Sequence, residues 1–408
     1  MMDVSKEVAI NIIQSVARGV PPIHGIEYYT AGLDEYLKAI QSEYLKTFIA
    51  AGGASFKMVI GGYGQGKTHF LYCVQDMAWK DNYVTSYVAL SPVQTPFSDP
   101  AKVYSELVKQ IAAPPEGIAE PEKGIDNLIC QWYLTKNREF DVLGPKKEEA
   151  LDSYLKSLPT FESLSFTQAV RQAFRSLAAE NEENFEQIVA WLNGELQDKK
   201  VYGKYGILQK VNKVNAFALI RSVAKWVKEI GYSGLIVLFD ETETLPSFSS
   251  KQKEILLSNL RQLIDECSGR FRNVLIFYSL PDEGFLDSKG VVYEALKTRL
   301  DSVFHFRNPT GTKIRLDDLP VSDVQMLEEV GSKLAHVYQV AYDSTLGDDR
   351  VSEAVHNMAK VCYEHKSEGA FRRLFVLRMT DALNMLRLEQ GSRVDPGMAK
   401  RIVSGQAQ

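Results

Sequence analysis

The sequence has little of several things, and each shortage excludes something. Its 408 residues hold only four cysteines, Cys73, Cys130, Cys267 and Cys362. Their wide scatter rules out a zinc-cluster spacing or a disulfide framework and fits a reducing compartment. The opening Met1-Met2-Asp3-Val4-Ser5-Lys6-Glu7 lacks the apolar core of a signal peptide. No apolar run approaches membrane-spanning length, so the expectation is a soluble, cytoplasmic protein with no membrane partner. The net charge of −5 gives no overall basic field, and any nucleic-acid surface must be local. There is no internal repeat and no low-complexity segment. What remains is ordinary globular composition, 45% apolar and 24% charged, long enough for about two to three domains.

Against that background one segment stands out: Val59-Ile60-Gly61-Gly62-Tyr63-Gly64-Gln65-Gly66-Lys67-Thr68. It has the full G-x-x-x-x-G-K-[ST] spacing of a P-loop, entered from the apolar stretch Lys57-Met58-Val59-Ile60 and left through the helical pattern from His69. Gly61, Gly62, Gly64 and Gly66 let the backbone turn so that its N–H groups, with those of Tyr63 and Gln65, face a phosphate. The following helix presents its positive end to the same group. Lys67 is placed for β- and γ-phosphate oxygens and the Thr68 hydroxyl for Mg²⁺. The cofactors expected are therefore ATP and Mg²⁺, with the choice between ATP and GTP left open.

Along the chain, Val8, Ile10, Ile12, Ile13 and Val16 give an apolar side to a helix over 6–18, stopped at Gly19-Val20-Pro21-Pro22. A second helix is expected from Leu33 to about Ala50. Tyr83 to Leu90, Leu235 to Phe239 and Val274 to Tyr278 read as buried strands, and Val303 to Phe306 as the last strand of the core. Helices are expected near 103–111, 216–230 and 251–266. Strands alternating with helices imply a parallel sheet covered on both faces. The expected division has four parts. Residues 1–111 form N-terminal helices and the first half of the core, and 112–206 a mostly helical insertion. Residues 207–311 complete the core, and 312–408 form a helical lid.

Leu235-Ile236-Val237-Leu238-Phe239-Asp240-Glu241 is the natural complement of the P-loop, an apolar strand that delivers two acids. Asp240 is the metal-side carboxylate and Glu241 the group that orients the attacking water. Glu243 reads as solvated. Ser279, ending the next strand, is either a polar group near the γ-phosphate or a turn serine before Pro281. Arg299 is either a finger reaching a neighbour's nucleotide in a homo-oligomer or a helix-end arginine favoured by the dipole. Arg372 is either a contact to bound phosphates or a solvated lid residue.

This ordered set resembles the AAA+ ATPases. The resemblance implies a three-layer P-loop core with a central parallel sheet, a helical insertion and a C-terminal α-helical lid. It makes Asp240-Glu241 the Walker B pair, Ser279 sensor 1, Arg299 the finger and Arg372, after Gly369-Ala370-Phe371, sensor 2. More distantly the chain is similar to the initiator group that includes archaeal origin-recognition proteins. Their Gly-Arg-x-x-Glu box is matched by Gly32-Leu33-Asp34-Glu35-Tyr36-Leu37, with leucine in place of arginine, which leaves Val20 to Gly25 to pack against the base. A closer resemblance is to the BREX-system ATP-binding proteins of bacterial phage defence. It rests on Gly19-Val20-Pro21-Pro22, the P-loop with Tyr63 and His69, Trp191-Leu192-x-Gly194-Glu195, Phe239-Asp240-Glu241-x-Glu243 and Ala295-Leu296-x-x-Arg299-Leu300. That resemblance implies antiviral defence with a helicase or other defence component as partner, acting on or near DNA.

The stretch Lys199-Lys200-Val201-Tyr202-Gly203-Lys204-Tyr205-Gly206 interleaves bases with tyrosines. It reads either as a DNA contact with stacking rings or as a solvated loop. Two functional classes stay open: an ATP-hydrolysing motor or switch, and a nucleotide-gated module with little turnover that recruits a helicase or nuclease. A replication initiator or helicase loader is a third reading, weakened because no recognition-helix motif is evident.

Overall fold

Six strands form one sheet: β1 (Ala54–Ile60), β2 (Val84–Leu90), β3 (Ile111–Ala112), β4 (Leu235–Glu241), β5 (Val274–Leu280) and β6 (Lys313–Arg315). Their spatial order is β3-β2-β4-β5-β1-β6. Every pairing is parallel except the antiparallel edge pair β2–β3. This computed structural model describes residues 3–117, 119–241, 249–282, 284, 291–305, 307–319, 321–366 and 370–406, without the side chains of 241 and 291–293.

The apolar runs that mark β1, β4 and β5 are buried on both faces, as parallel strands between helices must be. Strand alternation sends Phe56, Met58, Leu235, Val237, Phe239, Val274 and Ile276 to one apolar layer. Val59, Ile236, Leu238, Leu275 and Phe277 go to the other. The first layer is covered by helices Pro100–Lys109, Ala216–Glu229 and Ser250–Gly269, joined by the helices between 125 and 192. The second is covered by the N-terminal helices, by Lys67–Lys80 and by the C-terminal helices from Asp323 to Val403. The mixed α/β, P-loop-type core is thus as expected. No helix among the described residues is long and apolar enough to cross a membrane.

The Trp-Leu-x-Gly-Glu patch is part of this packing. Trp191 and Leu192 are fully buried at the end of helix Glu182–Leu192, and Trp191 Nε1 donates to the Gln209 carbonyl at 3.0 Å. Gly194 takes φ 76, as a helix stop requires. Glu195 then reaches Lys109 at 2.7 Å.

Two expected elements differ. The helix from Leu33 is α-helical only over Asp34–Ala39 and continues as a π-helix over Ile40–Ile49. The last core strand is Lys313–Arg315, not Val303–Phe306: Val303 and His305 make only isolated bridges, and Phe306 lies outside the described residues. The cause is Lys57, an inward residue of β1 that is 1% exposed. Its ammonium donates to the carbonyls of Gly311 (2.6 Å) and Pro309 (3.1 Å) and to Tyr44 Oη (2.6 Å). It also lies 4.2 Å over the Tyr44 ring. The turn before β6 is fastened by that side chain, and Met58, Val59 and Ile60 then pair with Lys313, Ile314 and Arg315.

Burial brings the Lys57 amine down from 10.5 to about 7. The unfolded chain therefore holds a proton that the folded chain releases between these values. Stability from this group falls as pH drops from the unfolded value through that window. Urea unfolding at about pH 7.5 and about pH 9.5 tests this. Relative to Lys57→Met, wild type is expected to gain up to about 1.4 kcal/mol per pH unit; a difference independent of pH would contradict it.

Candidate nucleotide-binding site

β1 ends at Ile60, and the Gly61 N–H is tied to the Leu280 carbonyl of β5 at 3.2 Å. The chain then turns through Gly61–Gly66 into helix Lys67–Lys80. Gly64 and Gly66 have φ of 68 and 94, open to glycine at little cost. They differ in surroundings. A Cβ on Gly66 would meet nothing within 4 Å, whereas one on Gly64 would lie 2.4 Å from Ala370 Cα. The loop is thus in backbone contact with the C-terminal helices. Inside it, Lys67 Nζ donates to the carbonyls of Gly61 (2.6 Å) and Gly62 (3.0 Å), and the Gly62 N–H donates to Gln65 Oε1 at 2.7 Å.

Asp240 lies one step behind this loop. Its Oδ2 accepts the Thr68 hydroxyl at 2.8 Å and also the Tyr87 hydroxyl, while Oδ1 accepts the Ser279 hydroxyl at 2.7 Å. Register explains the convergence. Asp240 follows Leu238 by two residues and Ser279 follows Phe277 by two, so both share the face on which the P-loop helix packs. Tyr87 pairs with Leu238, one pleat back on that same face. Its ring rests on Tyr72, four residues after Thr68 on the helix, with centroids 5.1 Å apart. Burial, then the Asp240 carboxylate, push the Tyr87 phenol well above its ordinary range, so it stays a donor.

On the opposite side stands Arg372, in helix Phe371–Leu388. It donates to the Gln65 carbonyl at 2.7 Å, to the Leu316 carbonyl at 3.3 Å and to Asp323 Oδ1 at 2.9 Å. Asp323 also takes Lys366 at 2.7 Å. Its burial would raise the carboxyl, but Lys366 and Arg372 outweigh that and hold it below the ordinary value. Between these walls lies a cavity of about 480 Å³. One end is polar, with Gly64 to Thr68, Asp240 and Arg372; the other is apolar, with Val20, Pro21, Leu33, Leu319, Met326 and Val330. His69 closes the floor, and burial depresses it to about 4, so it is neutral near pH 7. The single Thr30 hydroxyl proton goes to the Ile26 carbonyl at 2.7 Å. His69 Nε2 must then donate to Thr30, 2.9 Å away.

A polar wall made by the P-loop, Asp240 and Arg372 beside apolar lining residues suits a nucleotide. The Thr68 hydroxyl and Asp240 carboxylate are hard oxygen donors at one edge of the polar end. Among the described residues no group of three or more His, Cys, Asp or Glu forms a metal cage. Two protein oxygens beside a triphosphate fit Mg²⁺, which keeps most of its water and binds through substrate phosphates.

The structure therefore brings Gly61 to Thr68, Asp240, Ser279 and Arg372 together, with Tyr63 in the cavity wall. It places Arg299 elsewhere. Arg299 Nε bonds Asp265 Oδ1 at 2.5 Å and Nη1 bonds the Ala295 carbonyl at 2.7 Å. Glu241 ends β4 opposite Leu90, and its side chain, like Glu243, lies outside the described residues. So does Gly369. The stacking loop is corrected: Tyr202 and Tyr205 are buried, and Tyr205 donates to Asn184 and Gln187 side-chain oxygens at 2.9 and 2.8 Å. No motif in the sequence marks Tyr87 or Asp323 as part of the site. The only signal for Tyr87 is the alternation of β2, where Thr85, Tyr87 and Ala89 share one face.

A family model described as BREX system ATP-binding protein BrxC/D matches residues 4–400. No curated protein and no solved structure matches the chain.

Replacing Gly64 by alanine combines a left-handed φ with a backbone clash, whereas Gly66→Ala meets only the φ penalty. Urea unfolding should show a loss of roughly 1–2 kcal/mol for Gly66→Ala and a clearly larger one for Gly64→Ala. Equal losses would contradict the contact between the P-loop and Ala370.

Proposed function

The chain belongs to the BREX system ATP-binding protein BrxC/D family, and from that premise we propose that it is an AAA+-type ATPase whose ATP·Mg²⁺ site lies in the cavity between the P-loop and a C-terminal lid. The observation that carries this reading is the joint anchoring of Asp240 by Thr68 and Ser279 directly behind the P-loop. In this reading the P-loop N–H groups and Lys67 hold the β- and γ-phosphates. The base enters the apolar slot between Val20-Pro21 and Met326. Mg²⁺ bound at Thr68 and Asp240 would neutralise charge developing on the phosphate oxygens.

Glu241 is the group proposed to orient and deprotonate the attacking water. Ser279 holds Asp240 and borders the γ-phosphate. Arg372 moves from the Gln65 carbonyl to the phosphates, which makes the lid at 312–408 sense the nucleotide. Arg299 is the finger proposed to act in a neighbouring copy of the chain, which requires its release from Asp265. Residues 112–206 form the proposed insertion, packed on the core through Trp132, which lies 5.7 Å from Trp226. The expected setting is the cytoplasm, in an assembly with other defence components on or near DNA. The same Arg299–Asp265 pair favours a second reading, a nucleotide-gated module that turns over little until a partner frees the arginine.

Lys67→Ala is expected to lower ATP affinity by two orders of magnitude or more, on the order of 3 kcal/mol for a lost charged contact. Glu241→Gln should bind ATP as wild type does and lose at least about a hundredfold in turnover. Filter binding and a phosphate-release assay, with and without DNA and over a protein concentration series, check both. Retained turnover in Glu241→Gln would contradict the assignment of the base.

A further inference from the structure

Tyr87 is outside the proposed phosphate and metal contacts, yet its hydroxyl donates to the same oxygen of Asp240 as the Thr68 hydroxyl. It is not there by flexibility. β2 is fixed against β4 over its whole length, from Val84 opposite Leu235 to Leu90 opposite Glu241. The ring is backed by Tyr72 from the P-loop helix. Three rigid elements thus each send one hydroxyl to Asp240: Thr68 from the helix, Tyr87 from β2, Ser279 from β5.

We propose that Tyr87 is a positioning residue for the cation: its hydroxyl locks the Asp240 carboxylate in the orientation that, with Thr68, receives the Mg²⁺ of a bound nucleotide. This rests on the ATP·Mg²⁺ reading above. A carboxylate that serves a metal through water needs its rotamer fixed by groups behind it, and loss of such a group commonly weakens metal binding about 10- to 100-fold. Ser279 fixes one oxygen only. A carboxylate held at one oxygen still turns about its Cβ–Cγ bond, and Tyr87 at the second removes that freedom. The Thr68 hydroxyl cannot replace it, because in the loaded site its oxygen faces the cation.

The test is a Mg²⁺ titration of binding of a fluorescent ATP analogue to wild type, Tyr87→Phe and Tyr72→Phe, with a parallel binding curve in EDTA. Tyr87→Phe keeps the ring against Tyr72 and removes only the hydroxyl. Its Mg²⁺ midpoint is expected to rise about tenfold, with metal-free nucleotide affinity within twofold of wild type. Tyr72→Phe, which keeps the ring contact, should match wild type throughout. A Tyr87→Phe midpoint within twofold of wild type would overturn the inference, as would equal losses with Mg²⁺ and in EDTA, which mark a general disturbance of the pocket. Wild type binding without any Mg²⁺ dependence would instead overturn the underlying site, and is read from wild type alone.

Discussion

The buried carboxylate of Asp240 is the constraint around which the rest of the site is arranged. A charge placed at the end of a central strand, under a helix and away from bulk water, is costly unless donors surround it. Here the donors are three hydroxyls from three different elements. Tyr87 and Ser279 reach it because β4 lies between β2 and β5 in parallel register, and Thr68 because the P-loop helix packs on the same face. One polar node thus requires the strand order, the register and the seating of the P-loop helix together. A slip of one residue in β2 or β5 would turn Tyr87 or Ser279 to the opposite face.

The second junction lies between the loop and the C-terminal helices. It is made of backbone as much as side chain: Gly64 against Ala370, and Arg372 on the carbonyls of Gln65 and Leu316. Leu316 immediately follows β6, so Arg372 ties together the P-loop, the end of the edge strand and, through Asp323, the start of the next helix. Movement of the C-terminal helices would be felt at once by the backbone of the P-loop. The N-terminal turn takes part as well, since a Cβ on Gly19 would lie 3.4 Å from Arg373 Nε.

Much of this was legible in the sequence, for a physical reason. The stretches 235–239 of β4 and 274–278 of β5 lie in the centre of the sheet and so appear as apolar runs, and the P-loop has a spacing that few backbones other than a phosphate cradle require. What was not legible depends on contacts between distant residues. β6 is three residues long with one buried side chain, Ile314, and its place is set by Lys57 of the neighbouring strand β1, which lies 254 residues before Gly311 in the chain. Nothing in the sequence marks Lys57 as a buried fastening for a distant turn; only its carbonyl partners at Pro309 and Gly311 do. Tyr87 looks like one more aromatic in a buried strand, and only the register against β4 turns it toward Asp240. The tyrosines near 202–205 mislead in the opposite direction. Their basic neighbours suggest a stacking surface, while the rings belong to the core.

Hydrogen–deuterium exchange with and without ATP and Mg²⁺ would test the central claim most directly, because it reads all three walls of the cavity in one experiment. The account predicts simultaneous protection of peptides covering 19–33, 61–72 and 370–376, with little change across 125–192. Protection confined to the P-loop, leaving the N-terminal turn and the C-terminal helices as mobile as before, would contradict it.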